Sequence, residues 1–191
     1  MLTVILATHE SERALVQTLA PLVSGATAGL ITEVIVADAG STDATAEVAD
    51  LAGCRFITAD AAVGARLRRA AAEARAPWLL FLRPGTVPEP GWTEAVESFI
   101  GSGRDTAQAA VFRLRADEFA EPGLAAALRA LRAALFGTFP DPAQGLLIAR
   151  RLYDSLGGHA AGNDAEAALL KRLGRRRIAL LAAAARPPQY T

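Results

Sequence analysis

The segment that most constrains this chain is an apolar run, Val34-Ile35-Val36-Ala37, which ends in an acidic turn, Asp38-Ala39-Gly40-Ser41-Thr42-Asp43, and not in a glycine-rich one. Such a run reads as a buried strand, and Gly40 permits a sharp turn after it. Ser41, Thr42 or Asp43 then caps a helix expected over 44–51. The acidic turn limits the ligand. A carboxylate at a strand's end can accept hydrogen bonds from a base imide or ribose hydroxyls, whereas a pyrophosphate calls for backbone N–H groups and a helix dipole. A capped strand-to-helix turn with no ligand explains the same residues.

Strand and helix patterns alternate along the first half of the chain. Leu2 to Ala7 is continuously apolar, and Glu12 to Val23 is amphipathic with Leu15, Leu19 and Leu22 on one side. Arg55 to Thr58 precedes an Ala/Arg helix over 63–75, and Trp78 to Leu82 is a buried strand that stops at Arg83-Pro84-Gly85. Short apolar strands joined by helical crossovers imply an α/β fold with a mostly parallel, twisted sheet flanked by helices. Its binding crevice is expected at the strands' carboxyl ends. The second half is less regular: a helix from Trp92 to about Ile100, a strand over 108–115, an amphipathic helix over 124–135, and a strand at 146–149. A short helix to Leu156, another over 165–173 and a strand over 178–181 complete it.

Composition excludes several classes. At 191 residues with a formal net charge of zero, the chain suits one domain and shows no broad nucleic-acid footprint. One cysteine, Cys54, rules out an internal disulfide, and its apolar setting reads as a buried, inert thiol in a reducing compartment. Leu2 to Ala7 is too short and lacks the basic leader of a signal peptide, so a cytoplasmic location is expected. The 124–135 helix carries Arg129 and Arg132 and suits either a membrane surface or core packing, the latter being preferred. The first strand is followed by Thr8-His9-Glu10-Ser11, with no glycine fingerprint, and no Gly-Lys-Ser/Thr loop occurs, which removes dinucleotide oxidoreductases and phosphate-loop NTPases.

Taken together these signposts resemble the family-2 glycosyltransferases, enzymes of GT-A (Rossmann-like) fold that use nucleotide-diphosphate sugars. Thr8-His9-Glu10 stands where that family has a Thr-Tyr-Asn-Glu-like loop beside the nucleotide, and Val36 to Asp43 is close to its Val-Asp-Gly-Gly-Ser-Thr-Asp segment. Gly64-Ala65-Arg66-Leu67-Arg68 matches a Gly-containing helix start, with Arg68 where Asn is usual. Trp78 to Leu82 is the strand that normally delivers a metal-binding Asp-x-Asp. Gln144 to Tyr153, Leu156-Gly157-Gly158 and Asn163-Asp164 follow the order of the acceptor-side half. The resemblance implies one glycosyltransferase-like domain, with 1–86 as nucleotide-binding half and 87–191 as acceptor-side half. It places Thr8, His9, Glu10, Asp38, Ser41, Asp43, Arg66, Arg68 and Arg83 around the nucleotide. Asp164 is the counterpart of the catalytic base, acting in an inverting displacement, with Glu166 as a second candidate.

The departures matter equally. Arg83-Pro84-Gly85 replaces Asp-x-Asp and offers no carboxylate to a magnesium or manganese ion, which needs hard oxygen ligands. Arg83, with Arg66 or Arg68, is the candidate substitute charge for the diphosphate, because guanidinium binds phosphate bidentately. The partners expected are a nucleotide-diphosphate sugar and a hydroxyl acceptor of unknown kind. The rival reading is a non-catalytic nucleotide-sugar-binding or interaction protein on the same fold. His9 and His159 lack metal-spaced partners and read as polar loop residues.

Overall fold

The computed structural model describes residues 1–103, 107–115 and 140–189. The strands are β1 (Leu2–Thr8), β2 (Ile31–Asp38), β3 (Arg55–Thr58), β4 (Trp78–Leu82), β5 (Val87–Pro88), β6 (Ala109–Leu114), β7 (Leu146–Ala149) and β8 (Ile178–Arg186). They form one sheet in the order β3-β2-β1-β4-β7-β6-β8-β5. The helices are α1 (Glu12–Thr27), α2 (Thr45–Leu51), α3 (Val63–Glu73), α4 (Trp92–Ile100), α5 (Arg150–Ser155) and α6 (Ala165–Leu173). The amphipathic pattern over 124–135 lies outside the described residues.

Among the described residues the expected elements are present, joined by an unexpected two-residue β5, and the fold is α/β with a mostly parallel sheet. Its first four strands are parallel neighbours: β1 pairs with β2 and β4, and β2 with β3. Strands covered on both faces need continuous apolar sequence, and Trp78 to Leu82 in β4 is buried throughout. Right-handed crossovers put α1 and α2 on one face and α3 on the other. The face α1 turns to the sheet carries Leu15, Leu19 and Leu22, three to four residues apart.

Two differences from the expectation concern the second half. Strand β7 is antiparallel to both β4 and β6, so the sheet is mixed beyond β4. Strand β8 runs to Arg186, five residues past the expected end, with Leu181, Ala183 and Ala185 buried in alternation. An alanine run has little strand propensity of its own; pairing with β6 and with the two-residue β5 imposes it.

Chain direction across the sheet locates the crevice. The chain steps outward from β1 through β2 to β3, then returns to β4 on the other side of β1. The order therefore reverses between β1 and β4, and at such a switch point the two carboxyl-end loops diverge and leave a cleft.

Candidate active site

Register brings the expected residues to one edge. Thr8 at the end of β1 pairs with Asp38 at the end of β2, and Leu6 pairs with Leu82 at the end of β4. A cavity of about 380 Å³ opens there, walled by Thr8, His9 and Glu10 on one side and by Arg83 and Gly85 on the other, with Arg66 and Glu166 completing it.

Asp38 is only 1% exposed. Thr8 Oγ1 and Ser41 Oγ donate to its Oδ1 at 2.7 and 2.6 Å, and the amides of Gly40 and Ser41 donate to its Oδ2 at 2.7 and 2.6 Å. Burial alone would raise this carboxyl, but the donors from Ser41, Thr8 and Gly40 outweigh it and hold the group below its ordinary 3.8. Asp38 thus spends its lone pairs on the turn it begins.

The same turn is stitched to the loop after β1. The Glu10 amide donates to Ser41 Oγ at 2.8 Å, and the Thr42 amide donates back to Glu10 Oε1 at 2.7 Å. Asp43 accepts from the Glu12 amide and from Thr45, so one carboxylate serves the first turns of both α1 and α2. Glu10 adopts φ 47°, a left-handed conformation uncommon outside glycine, sustained by these bonds at both ends of the residue.

Arg66 reaches across from α3 and is itself buried. Its Nη1 donates to the carbonyl oxygens of Thr8 and Ala37, each at 2.6 Å, and its Nε to that of Ala61 at 3.1 Å. The guanidinium closes the ends of β1 and β2 while lining the cavity. Arg68, two residues on, points about 200° around the helix, is exposed and is not among the cavity residues. Helix α3 can come this close to the second half because its second residue is Gly64, whose amide donates to the Gly162 carbonyl at 3.0 Å. A Cβ there would lie 1.9 Å from the Ala160 carbonyl oxygen.

On the opposite wall Arg83 Nε and Nη2 both reach Glu166 Oε2, at 2.8 and 2.7 Å. The two side chains are 33% and 16% exposed, so the pair is partly shielded and faces the cavity. Asp164 stands at the N-cap of α6 with no side-chain capping bond, exposed and apart from the cavity wall. The start of the helix turns these two carboxylates in different directions, and Glu166 is the one turned inward.

A family model described as glycosyl transferase family 2 matches residues 3–151, most of the chain. The chain belongs to that family. No curated protein matches it in sequence. Among solved structures, the glucosyl-3-phosphoglycerate synthase of Mycobacterium tuberculosis in complex with Mn2+, UDP and glucosyl-3-phosphoglycerate is similar at 24% identity and TM-score 0.71, over 100% of this chain and 73% of that one. The same synthase without a named ligand gives 25% and 0.69 over 100% and 72%, and its UDP complex 26% and 0.66 over 94% and 69%. The GT-A fold is thereby shared over the whole chain.

As a family 2 member this chain would be expected to hold a divalent ion at the end of β4, and the described residues there do not fit one. Among the described residues no group of three or more His, Cys, Asp or Glu side chains comes together. Of the cavity's carboxylates, Glu10 is taken up by Thr42 and Glu166 by Arg83. A guanidinium stands where a metal ligand would be needed, and it repels a cation.

His159 lies in the loop after Gly157-Gly158, as expected, but is buried there. It is 1% exposed, stacks edge-on to Phe81, and places Nδ1 2.9 Å from the Tyr153 hydroxyl, which also accepts from the His159 amide at 3.0 Å. Burial, with help from the Arg172 charge, pushes it down to about 4, so it is neutral near pH 7. Nothing in the sequence around Gly157-Gly158 marks it as core. His9 remains exposed on the cavity rim, its carbonyl and amide joined to Ser11 Oγ. Burial pushes the Cys54 thiol up to about 11, consistent with an unreactive thiol. No helix among the described residues is long and apolar enough to cross a membrane.

Proposed function

We propose that this chain transfers a sugar from a nucleotide-diphosphate donor to a hydroxyl acceptor, with the donor lying in the crevice between the ends of β1 and β4. The observation that carries this is the pair of arginines, Arg66 and Arg83, on the walls of one cavity at the switch point of a family 2 fold. Two guanidinium groups at a crevice of that size suit a diphosphate. Thr8, His9 and Glu10, with the turn Ser41 to Asp43 stitched to them, form the side toward the nucleoside. Asp38 contributes by fixing that turn. Arg68 belongs to the outer surface of α3 and takes no part in holding the phosphates.

The sugar's anomeric carbon is then displaced with inversion, in one step, by the acceptor hydroxyl. Glu166, and not the exposed Asp164, is placed to take the hydroxyl proton. Arg83 supplies the charge for the leaving diphosphate, so transfer proceeds without a divalent ion. One solved complex of the synthase names UDP together with Mn2+ and another names UDP alone; the proposal carries UDP over to this chain and not the ion. The engagement of Glu166 by Arg83 also favours a second reading, a protein that binds nucleotide sugars without turnover.

Thermal denaturation with UDP, GDP and dTDP, in manganese and then in EDTA, tests the proposal. At a hundredfold its dissociation constant, a ligand bound only to the native state adds about 2.7 kcal/mol. Stabilisation that survives EDTA is expected, and release of free nucleotide from the matching sugar donor separates the transferase from the binder. Absence of stabilisation by any of the three removes the nucleotide site.

A further inference from the structure

We propose that the Arg83–Glu166 ion pair is an exchange switch: the donor's diphosphate takes Arg83 from Glu166, and only then is the Glu166 carboxylate available as the base. The proposal rests on the nucleotide-sugar reading above and adds to it an order of events.

The pair's geometry invites exchange. Both Arg83 nitrogens converge on one oxygen, Glu166 Oε2, at 2.8 and 2.7 Å, so the contact is not the two-oxygen fork that gives arginine–carboxylate pairs their full strength. Glu166 Oε1 makes no hydrogen bond to the described residues. A diphosphate offers the same guanidinium more charge and more oxygens in matching geometry. Exchange requires no chain movement between elements, because both side chains already face the cavity that the diphosphate would enter.

Before exchange, Oε2 is committed to the guanidinium, and a proton taken up even by the open Oε1 would neutralise the carboxylate that pairs with Arg83, so the contact opposes proton transfer until it is given up. After exchange, the proton of the acceptor hydroxyl passes to Glu166 and the acceptor oxygen bonds to the anomeric carbon. The bond from that carbon to the β-phosphate oxygen breaks, and its electron pair stays on the diphosphate held by Arg83. When the diphosphate departs, Glu166 gives its proton to water and pairs with Arg83 again. Donor binding thus readies the base, and the base guards the phosphate site when donor is absent.

The test is a double-mutant cycle on UDP affinity, by titration calorimetry in EDTA, with wild type, Glu166→Gln, Arg83→Ala and the double variant. Glu166→Gln is expected to bind UDP at least threefold more tightly than wild type while losing transfer by about a hundredfold or more. Arg83→Ala is expected to bind at least tenfold more weakly, and adding Glu166→Gln to it to change affinity by less than twofold. Glu166→Ala provides the same sign if Gln disturbs packing, with circular dichroism to confirm the fold. Equal or weaker binding by both Glu166 variants overturns the exchange while leaving the nucleotide site standing. So does an equal gain in the Arg83→Ala background, because that gain would be general charge removal. If UDP, GDP and dTDP all fail to bind wild type, the exchange and the nucleotide reading fall together.

Discussion

Arg66 Nη1 holds the carbonyl oxygen of Thr8 at 2.6 Å, tying the crevice end of β1 to a helix that begins 55 residues later in the chain, at Val63. The same nitrogen takes the Ala37 carbonyl, and the Thr8 carbonyl also accepts from the Ala39 amide at 3.0 Å, so one buried cation joins two strand ends to α3. Lysine cannot serve both carbonyls and also Ala61 from one ammonium in the same geometry. Leaving a buried carbonyl unpaired costs about 1–3 kcal/mol. Arg66→Lys is expected to lower stability by about 1–3 kcal/mol in urea denaturation and to weaken nucleotide binding with it. Stability within about 0.5 kcal/mol of wild type would show that Arg66 does not hold the strand ends.

Gly64 is a second point of close approach, fixed by backbone and not by a movable side chain. An added Cβ would meet the Ala160 carbonyl at 1.9 Å and the Ala165 Cβ at 2.4 Å, whereas Gly162 has nothing within 4 Å. Gly64→Ala is expected to destabilise by about 1–3 kcal/mol or more, as overpacking does. Gly162→Ala serves as the neutral comparison, within about 0.5 kcal/mol. Equal thermal midpoints for the two variants would place the contact between α3 and the segment before α6 elsewhere.

His159 gives the fold an acid dependence of definite sign. Its folded value is lowered to about 4 from 6.5, so between those values the unfolded chain binds the proton and the native state does not. Stability therefore rises with pH across that window: the contribution is fully present above 6.5 and is lost as pH falls toward 4. A shift of this size corresponds to on the order of 3 kcal/mol. Denaturant titrations at pH 7 and pH 4 are expected to show a smaller difference for His159→Gln than for wild type. An unchanged difference would assign the acid dependence to other groups.

Much of this site could be read from the sequence because its backbone parts depend on local pattern. The apolar runs of β1, β2 and β4 and the turn from Asp38 to Asp43 set the strand edge and its loops before any packing is known. Side-chain direction is a different matter. Asp164 and Glu166 lie two residues apart at a helix start, and only the docking of α6 against α3 decides which faces the cavity. Arg66 reads in sequence as a phosphate ligand; its claim on the Thr8 and Ala37 carbonyls depends on the distance between α3 and two strands. His159 follows two glycines and reads as a polar loop residue, while the Phe81 and Tyr153 rings that bury it are remote or invisible in the local pattern. Strand β8 beyond Leu181 is alanine held in place by neighbours, and antiparallel β7 carries no mark of direction in its four apolar residues.

Under the function proposed above, a guanidinium at the end of β4 takes the diphosphate without a metal ion. Calorimetric titration of UDP into wild type and Arg83→Ala, both in excess EDTA, tests it most directly. Saturable binding by wild type and at least a tenfold loss in the variant, equivalent to about 1.4 kcal/mol, are expected. Equal affinity in the two proteins, or wild-type binding that appears only when manganese replaces EDTA, would contradict it.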